Sequence, residues 1–350
     1  MDFRKQPILD SLTPFTRILF LILLVITCFA TAFLIGLLLA GPLFGVQMKD
    51  IVSTLSDYSD AKTLRLLQYF QVIQSFGLFI IPSLLAGYFF ERSSVRYLYI
   101  DRPSRWPVYV VTLVLMFAFL PFINWMVTVN SAMKLPDFLK GVEEWMKIAE
   151  DEAATLTEAF MKMPDFGAFL FNLFMIAVLP AIGEEFMFRG LLQRLFKEWL
   201  GNVHVAIFLS AFLFSAMHFQ FYGFFPRMIL GIIFGYMFYW SGSLWVPVCA
   251  HFINNGAAVV FSFLEQQGIL SGDYESFGAT ENGWFIMLSG LAVPALMYLI
   301  YRLRPQPPAP FSPGKAPQPP APSPPGKAPQ PPAPSPQGEG ESPLLEDRVG

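Results

Sequence analysis

The chain has 350 residues, of which 54% are hydrophobic and 14% charged, and its formal net charge is −3. A soluble domain carries about 25% charged residues, so an ordinary soluble enzyme is excluded. With 23 Lys+Arg against 26 Asp+Glu there is no basic excess, which excludes a nucleic-acid binder. The two cysteines, Cys28 and Cys249, stand far apart in apolar runs and make no disulfide framework.

Eight apolar runs follow in chain order: Ile18–Leu39, Leu67–Phe90, Val108–Val129, Phe166–Phe188, Val203–His218, Met228–Trp240, Leu244–Leu264 and Trp284–Tyr301. Runs of about 20 apolar residues span a bilayer as helices, because lipid offers backbone polar groups no other partner. The fifth and sixth are short and contain Gly or polar residues. The fold class is therefore all-α: a polytopic helical membrane protein with about eight transmembrane helices. Between the third and fourth runs, Phe138, Val142, Trp145, Ala149, Ala153, Leu156 and Phe160 recur at helical spacing with acids between them. This predicts an amphipathic helix on the outer membrane surface, or equally a soluble helix packed on loops.

Basic residues gather at Arg4, Lys5 and Arg17, at Arg92, Arg96, Arg102 and Arg105, at Arg189, Arg194 and Lys197, and at Arg302 and Arg304. The alternate connections are acidic, from Glu143 to Glu158 and from Asp273 to Glu281. The positive-inside bias then predicts a multi-pass protein of the cell (inner) membrane with both termini in the cytoplasm. From Pro305 onward the chain is proline-rich, and residues 325–336 repeat residues 313–324 without change. Such a stretch builds no core and predicts a disordered cytoplasmic tail, open to a docking partner. The organisation read is residues 1–165 as N-terminal spans and outer helix, 166–264 as a core, 265–304 as the last span and 305–350 as tail.

Ionisable side chains in hydrocarbon cost about 2.5–3.5 kcal/mol each on insertion scales, so those inside the spans mark a functional site. The fourth run holds Glu184, Glu185 and Arg189; the fifth holds Phe214 and His218; the seventh holds His251 and Asn255. Glu185 and Arg189 are four apart in the favourable order for a helical ion pair. Glu184 lies about 100° around the helix and is left to face something else. Phe214 and His218 share a face, as do His251 and Asn255. The turn Gly201-Asn202 lies 17 residues from both Glu184 and His218. A hairpin with a charged end projecting into the cytoplasm places both at one height, in the cytoplasmic half or the middle of the bilayer. A second turn at Ser241-Gly242-Ser243 brings His251 and Asn255 within reach.

A carboxylate beside an imidazole can activate water, and a second imidazole with a carboxamide can hold an oxyanion. Glu184, His218 and His251 are alternatively a donor set for catalytic zinc. No H-E-x-x-H occurs, and no serine or cysteine sits in an obvious nucleophile setting. A transporter and a non-catalytic membrane scaffold or immunity protein are the competing readings, although no internal repeat supports a transporter.

Three motifs stand in order on these runs: Glu184-Glu185-x-x-x-Arg189, Phe214-x-x-x-His218 and His251-x-x-x-Asn255. In this the chain resembles the CAAX-protease and bacteriocin-processing (CPBP, or Abi) intramembrane proteases over about 100 residues, Phe166 to Leu264. The resemblance implies an endopeptidase cutting a membrane-associated or C-terminal peptide near the cytoplasmic side. It implies that Glu184 and His218 activate water, that His251 and Asn255 stabilise the oxyanion, and that Glu185, Arg189 and Phe214 support them. It leaves open whether the mechanism is glutamic or zinc-dependent. Relatives act on prenylated C-terminal CaaX proteins, on peptide maturation or in bacteriocin immunity. The proline-rich tail departs from the family pattern.

Overall fold

The computed structural model describes residues 8–9, 11–46, 60–270 and 278–304, and these are helical, with no strand among them. All eight apolar runs become helices. They are α1 (Pro14–Phe44), α2 (Ala61–Glu91), α4 (Trp106–Ser131), α6 (Phe166–Leu200), α7 (Val203–Ala216), α8 (Phe224–Ser241), α9 (Trp245–Gln266) and α10 (Gly283–Leu303). A short helix, α3 (Ser94–Tyr97), and the predicted amphipathic helix, α5 (Lys140–Phe160), complete the set. Six of the described helices (α1, α2, α4, α6, α9 and α10) are long and apolar enough to cross a membrane, and α7 is a shorter apolar helix. At about 1.5 Å per residue α7 rises only about 21 Å, while α8 carries Arg227 in its first turn. The tail lies outside the described residues, and with it the expectation of disorder.

Sequence sets the helix ends. Asp60 and Asp165 accept the backbone amides of Thr63 and Ala168 and start α2 and α6. Asn202 accepts from His204 and Val205 and starts α7 directly after Gly201, which ends α6 at φ +68°. Gly242 ends α8 in the same left-handed conformation, at φ +64°. Both turns thus fall where the sequence places them.

Two packed groups hold the bundle. In one, α1, α2, α3 and α6 to α9 bury Leu21, Phe90, Leu98, Phe188, Leu191, Leu195 and Phe214 among others. In the other, α4 and α10 pack on α8 and α9 through Leu115, Phe119, Phe234, Met237 and Ile300. The lipid-facing sides of α1 and α10 stay apolar and exposed, as at Leu23, Leu34, Leu288 and Leu291.

Two local expectations change. The charged end of α6 does not project freely: it packs on α1, Arg194 donates to the Tyr97 carbonyl, and Glu198 pairs with Arg17 at 3.6 Å. Leu195 and Phe196 are buried there, which gives the segment an apolar side to dock. His204 Nδ1 lies 2.7 Å from the Tyr236 hydroxyl. The stripe on α5 divides along its length. Phe138, Val142, Trp145 and Ile148 stay exposed, whereas Ala159 and Phe160 are buried. The helix is tied down at Trp145, whose ring lies 5.3 Å from that of Phe221, and at Glu150, which accepts the Tyr222 amide at 3.3 Å.

Candidate active site

The helix that carries the two glutamates departs from α-geometry twice. Residues 173–178 and 186–192 form π-helical turns, and the α-helical stretch Leu179–Glu185 lies between them. A π-turn adds a residue to the repeat and re-aims the side chains beyond it, which is why such turns gather at functional sites. Gly183 lets this stretch approach α2. A Cβ there would stand 2.9 Å from the Phe79 Cβ and 3.2 Å from Ile80.

Glu185 and Arg189 form the expected pair. Their Oε1 and Nη1 atoms are 2.5 Å apart, and the two side chains are 0% and 1% exposed. Burial without other partners would make such a pair costly. Here Arg189 also donates to the Gly231 carbonyl at 3.2 Å, and its guanidinium lies 4.6 Å from the ring centre of Phe214 and 5.3 Å from that of Phe234. The sequence reading missed a further link. His251 Nδ1 is 2.8 Å from the same Glu185 oxygen, so Glu185 orients the imidazole as well as the arginine. Phe234 stacks on that imidazole at 5.6 Å, and Phe214 meets it edge-on at 5.9 Å.

With Nδ1 engaged, His251 turns Nε2 toward Glu184, 3.9 Å from its Oε2. That oxygen is buried and has no hydrogen-bond partner. His218 stands just beyond the end of α7. Its Nδ1 donates to the Phe214 carbonyl at 2.8 Å, which fixes the tautomer and leaves Nε2 as an acceptor. Phe214 packs on its ring at 5.3 Å, as the shared face predicts. Asn255 donates to the Ile176 carbonyl at 3.0 Å and accepts from Asn254 at 3.1 Å, so its amide is held in one orientation.

Glu184, His218, His251 and Asn255 all line one cavity of about 850 Å³. Among the other polar liners that the sequence reading passed over are Gln220 and Arg227, which bond to each other at 2.7 Å. Arg227 stands one residue before the sixth run and was therefore not counted as a charge inside a span. The cavity floor is buried at Phe188, Phe214 and His251, while the lining residues Thr157, Met217 and Phe219 are exposed. With Gln74 of α2 and Val127 of α4 also exposed, the mouth lies among α5, the turn from α7 to α8 and the facing sides of α2 and α4. None of the residues in the basic connections, 92–105 and 194–202, reaches the lining. His218 lies at the far end of α7, a full helix length from the Gly201 turn.

The zinc set does not fit as it stands. Glu184 and His251 approach each other, yet among the described residues no three His, Cys, Asp or Glu side chains come together as metal ligands. Catalytic zinc takes three protein ligands at about 2.0–2.2 Å.

The model of the Rce1-like type II CAAX prenyl endopeptidases matches residues 166–257. Over residues 166–257 the chain is thus similar to the CPBP family, in line with the three motifs. All four cavity side chains singled out above fall inside this CPBP segment. Over 86 residues the chain is 30% identical to the Bacillus subtilis (strain 168) protein YpbD, covering 23% of this chain and 41% of that protein. Over 103 residues it is 29% identical to the membrane-embedded CAAX protease MroQ of Staphylococcus aureus (strain USA300), covering 28% of this chain and 41% of MroQ. The chain thus matches about two-fifths of the length of these curated relatives. No solved structure matches it.

Proposed function

We propose that the chain is a membrane-embedded endopeptidase in which Glu184 activates water against a peptide bond. The observation that carries this reading is the unpartnered, buried Oε2 of Glu184, facing the cavity beside the Nε2 of an oriented His251. The CPBP match and the likeness to MroQ support the reaction class.

The chemistry follows from the partners. A water between Glu184 and the Nε2 acceptor of His218 loses a proton to Glu184 as its oxygen attacks the carbonyl carbon. The new oxyanion accepts hydrogen bonds from His251 and the Asn255 amide. Glu185 compensates the charge of a protonated His251, and Arg189 keeps Glu185 in place. When the intermediate collapses, the C–N bond breaks and the proton on Glu184 passes to the departing amine. Mature hydrolysis on this scheme needs no metal. Were Glu184, His218 and His251 to hold zinc, it would supply Lewis-acid activation of the water, and chelation would abolish activity until zinc was restored.

The test is hydrolysis of a membrane-peptide substrate by purified protein in lipid. Glu184→Gln and His218→Ala should retain the wild-type melting behaviour and lose about 10²–10⁴ in rate, the span of general acid–base catalysis. Equal rates in wild type and both variants would end the proposal.

A further inference from the structure

The side of the membrane on which this site opens can be read by joining two independent observations. The first is the placement of the cavity. Its exposed lining comes from Gln74 in the middle of α2, from Val127 near the end of α4, from α5 and from the turn between α7 and α8, while the buried wall of Phe188, Phe214 and His251 closes it toward the other end. Below that wall the bundle is filled. Leu98, Leu191, Leu195 and Leu244 are each at most 1% exposed, and the Glu185–Arg189 pair is itself buried. A peptide has no way in from that end.

The second observation is the charge of the two ends. The connection 92–105, at the closed end, carries four arginines within fourteen residues. Arg194 and Lys197 near the end of α6, and Arg302 and Arg304 at the end of α10, lie at the same end of the bundle. The connection 132–165, at the open end, carries four lysines within 34 residues, among eight acids. Short connections dense in Lys and Arg stay in the cytoplasm, and they set the orientation of the spans. The closed end is the arginine-dense one.

We infer that the cavity opens on the extracytoplasmic side, so that the substrate is a peptide segment presented at the outer membrane surface. This rests on the endopeptidase reading for the word substrate, but the sidedness stands on the geometry and the charge alone. It sets the chain apart from an enzyme that trims a C-terminus in the cytoplasm. It also gives α5 a place: its last turns line the mouth through Ala153, Leu156, Thr157 and Phe160, where an arriving peptide must pass. The exposed apolar first half of α5 then rests on the outer leaflet.

The experiment uses full-length protein in which Cys28 and Cys249 are replaced by serine. A single cysteine is placed at Glu152 on α5 or at Lys197 near the end of α6, and intact cells are treated with a membrane-impermeant maleimide. Glu152→Cys should label in intact cells, and Lys197→Cys only after permeabilisation. The reverse pattern, or labelling of Lys197→Cys in intact cells, overturns the inference. In parallel, an impermeant quenched peptide is added outside cells carrying the wild type or Glu184→Gln. Cleavage by the wild type alone supports both readings. Outward labelling with no cleavage by the wild type, on a panel of membrane-derived peptides, would count against the endopeptidase reading and leave the sidedness standing.

Discussion

Replacing Glu185 by alanine would leave the Arg189 guanidinium buried without its carboxylate and free the His251 ring from its Nδ1 partner. Breaking a buried pair in this way costs about 3–5 kcal/mol. Glu184→Gln removes a carboxylate whose Oε2 has no hydrogen-bond partner to lose, so it should cost far less or even stabilise. Thermal unfolding in one detergent should therefore rank Glu185→Ala well below wild type and Glu184→Gln close to it. If both fell equally, the division of labour between these neighbours would be wrong. That division was readable beforehand, because the four-residue spacing to Arg189 singles out Glu185. The bond from Glu185 to His251 was not readable. It joins residues 66 apart in sequence, and no local pattern announces which of two adjacent acids a distant imidazole will choose.

At the scale of elements, the stretch between the two π-turns of α6 depends on a close approach. A side chain at Gly183 would meet Phe79 at 2.9 Å across the contact with α2. Gly183→Val should cost about 1–3 kcal/mol by overpacking, and it should lower hydrolysis by more than the lost stability explains, because the next residue is Glu184. Melting temperature and rate measured on the same preparation check this. A milder loss than in Gly183→Ala would contradict the steric cause. Helix existence and turns were readable along the chain because apolar runs, Gly201 and Gly242 are local signals. The π-turns were not, since residues 173–178 and 186–192 look like any apolar helix. Amphipathic α5 was readable from its stripe, and its start responds to pH in a defined direction. Glu143 pairs with Lys147 at 2.8 Å and accepts the Leu135 amide at 3.1 Å, which holds its carboxyl below the ordinary glutamate value. A lowered value contributes stability above the ordinary pKa, and that contribution is lost as pH falls through the lowered one. Protection factors at residues 135–147, taken relative to the intrinsic exchange rate at each pH, should therefore fall only in acid and stay flat between pH 6 and pH 8, whereas the buried end at Phe160 should not follow them.

At the scale of the whole molecule, the charge pattern and the cavity carry different information, and only their combination bears on which side of the membrane the cavity opens. The pattern of basic connections could be taken from the sequence, since it needs only span ends and a count of Lys and Arg. The side of the mouth could not. Helix length alone places Glu184 and His218 at one height, but the direction of opening depends on which connections fold over the site. Here α5 and the turn between α7 and α8 do so, and the 92–105 connection packs away from it through Leu98. If orientation follows the arginines, weakening them should invert part of the population. Arg92, Arg96, Arg102 and Arg105 replaced together by glutamine, with Arg194 retained on the Tyr97 carbonyl, should yield a measurable fraction of chains whose α5 is inside. The readout is protection of the Glu152→Cys site from impermeant maleimide in intact cells, against full labelling in the parent. The effect should appear in insertion and not in folding, so the melting temperature of the correctly oriented fraction should stay near that of the parent. Unchanged labelling would mean that the first span, with Arg4, Lys5 and Arg17, sets orientation without help from the second connection.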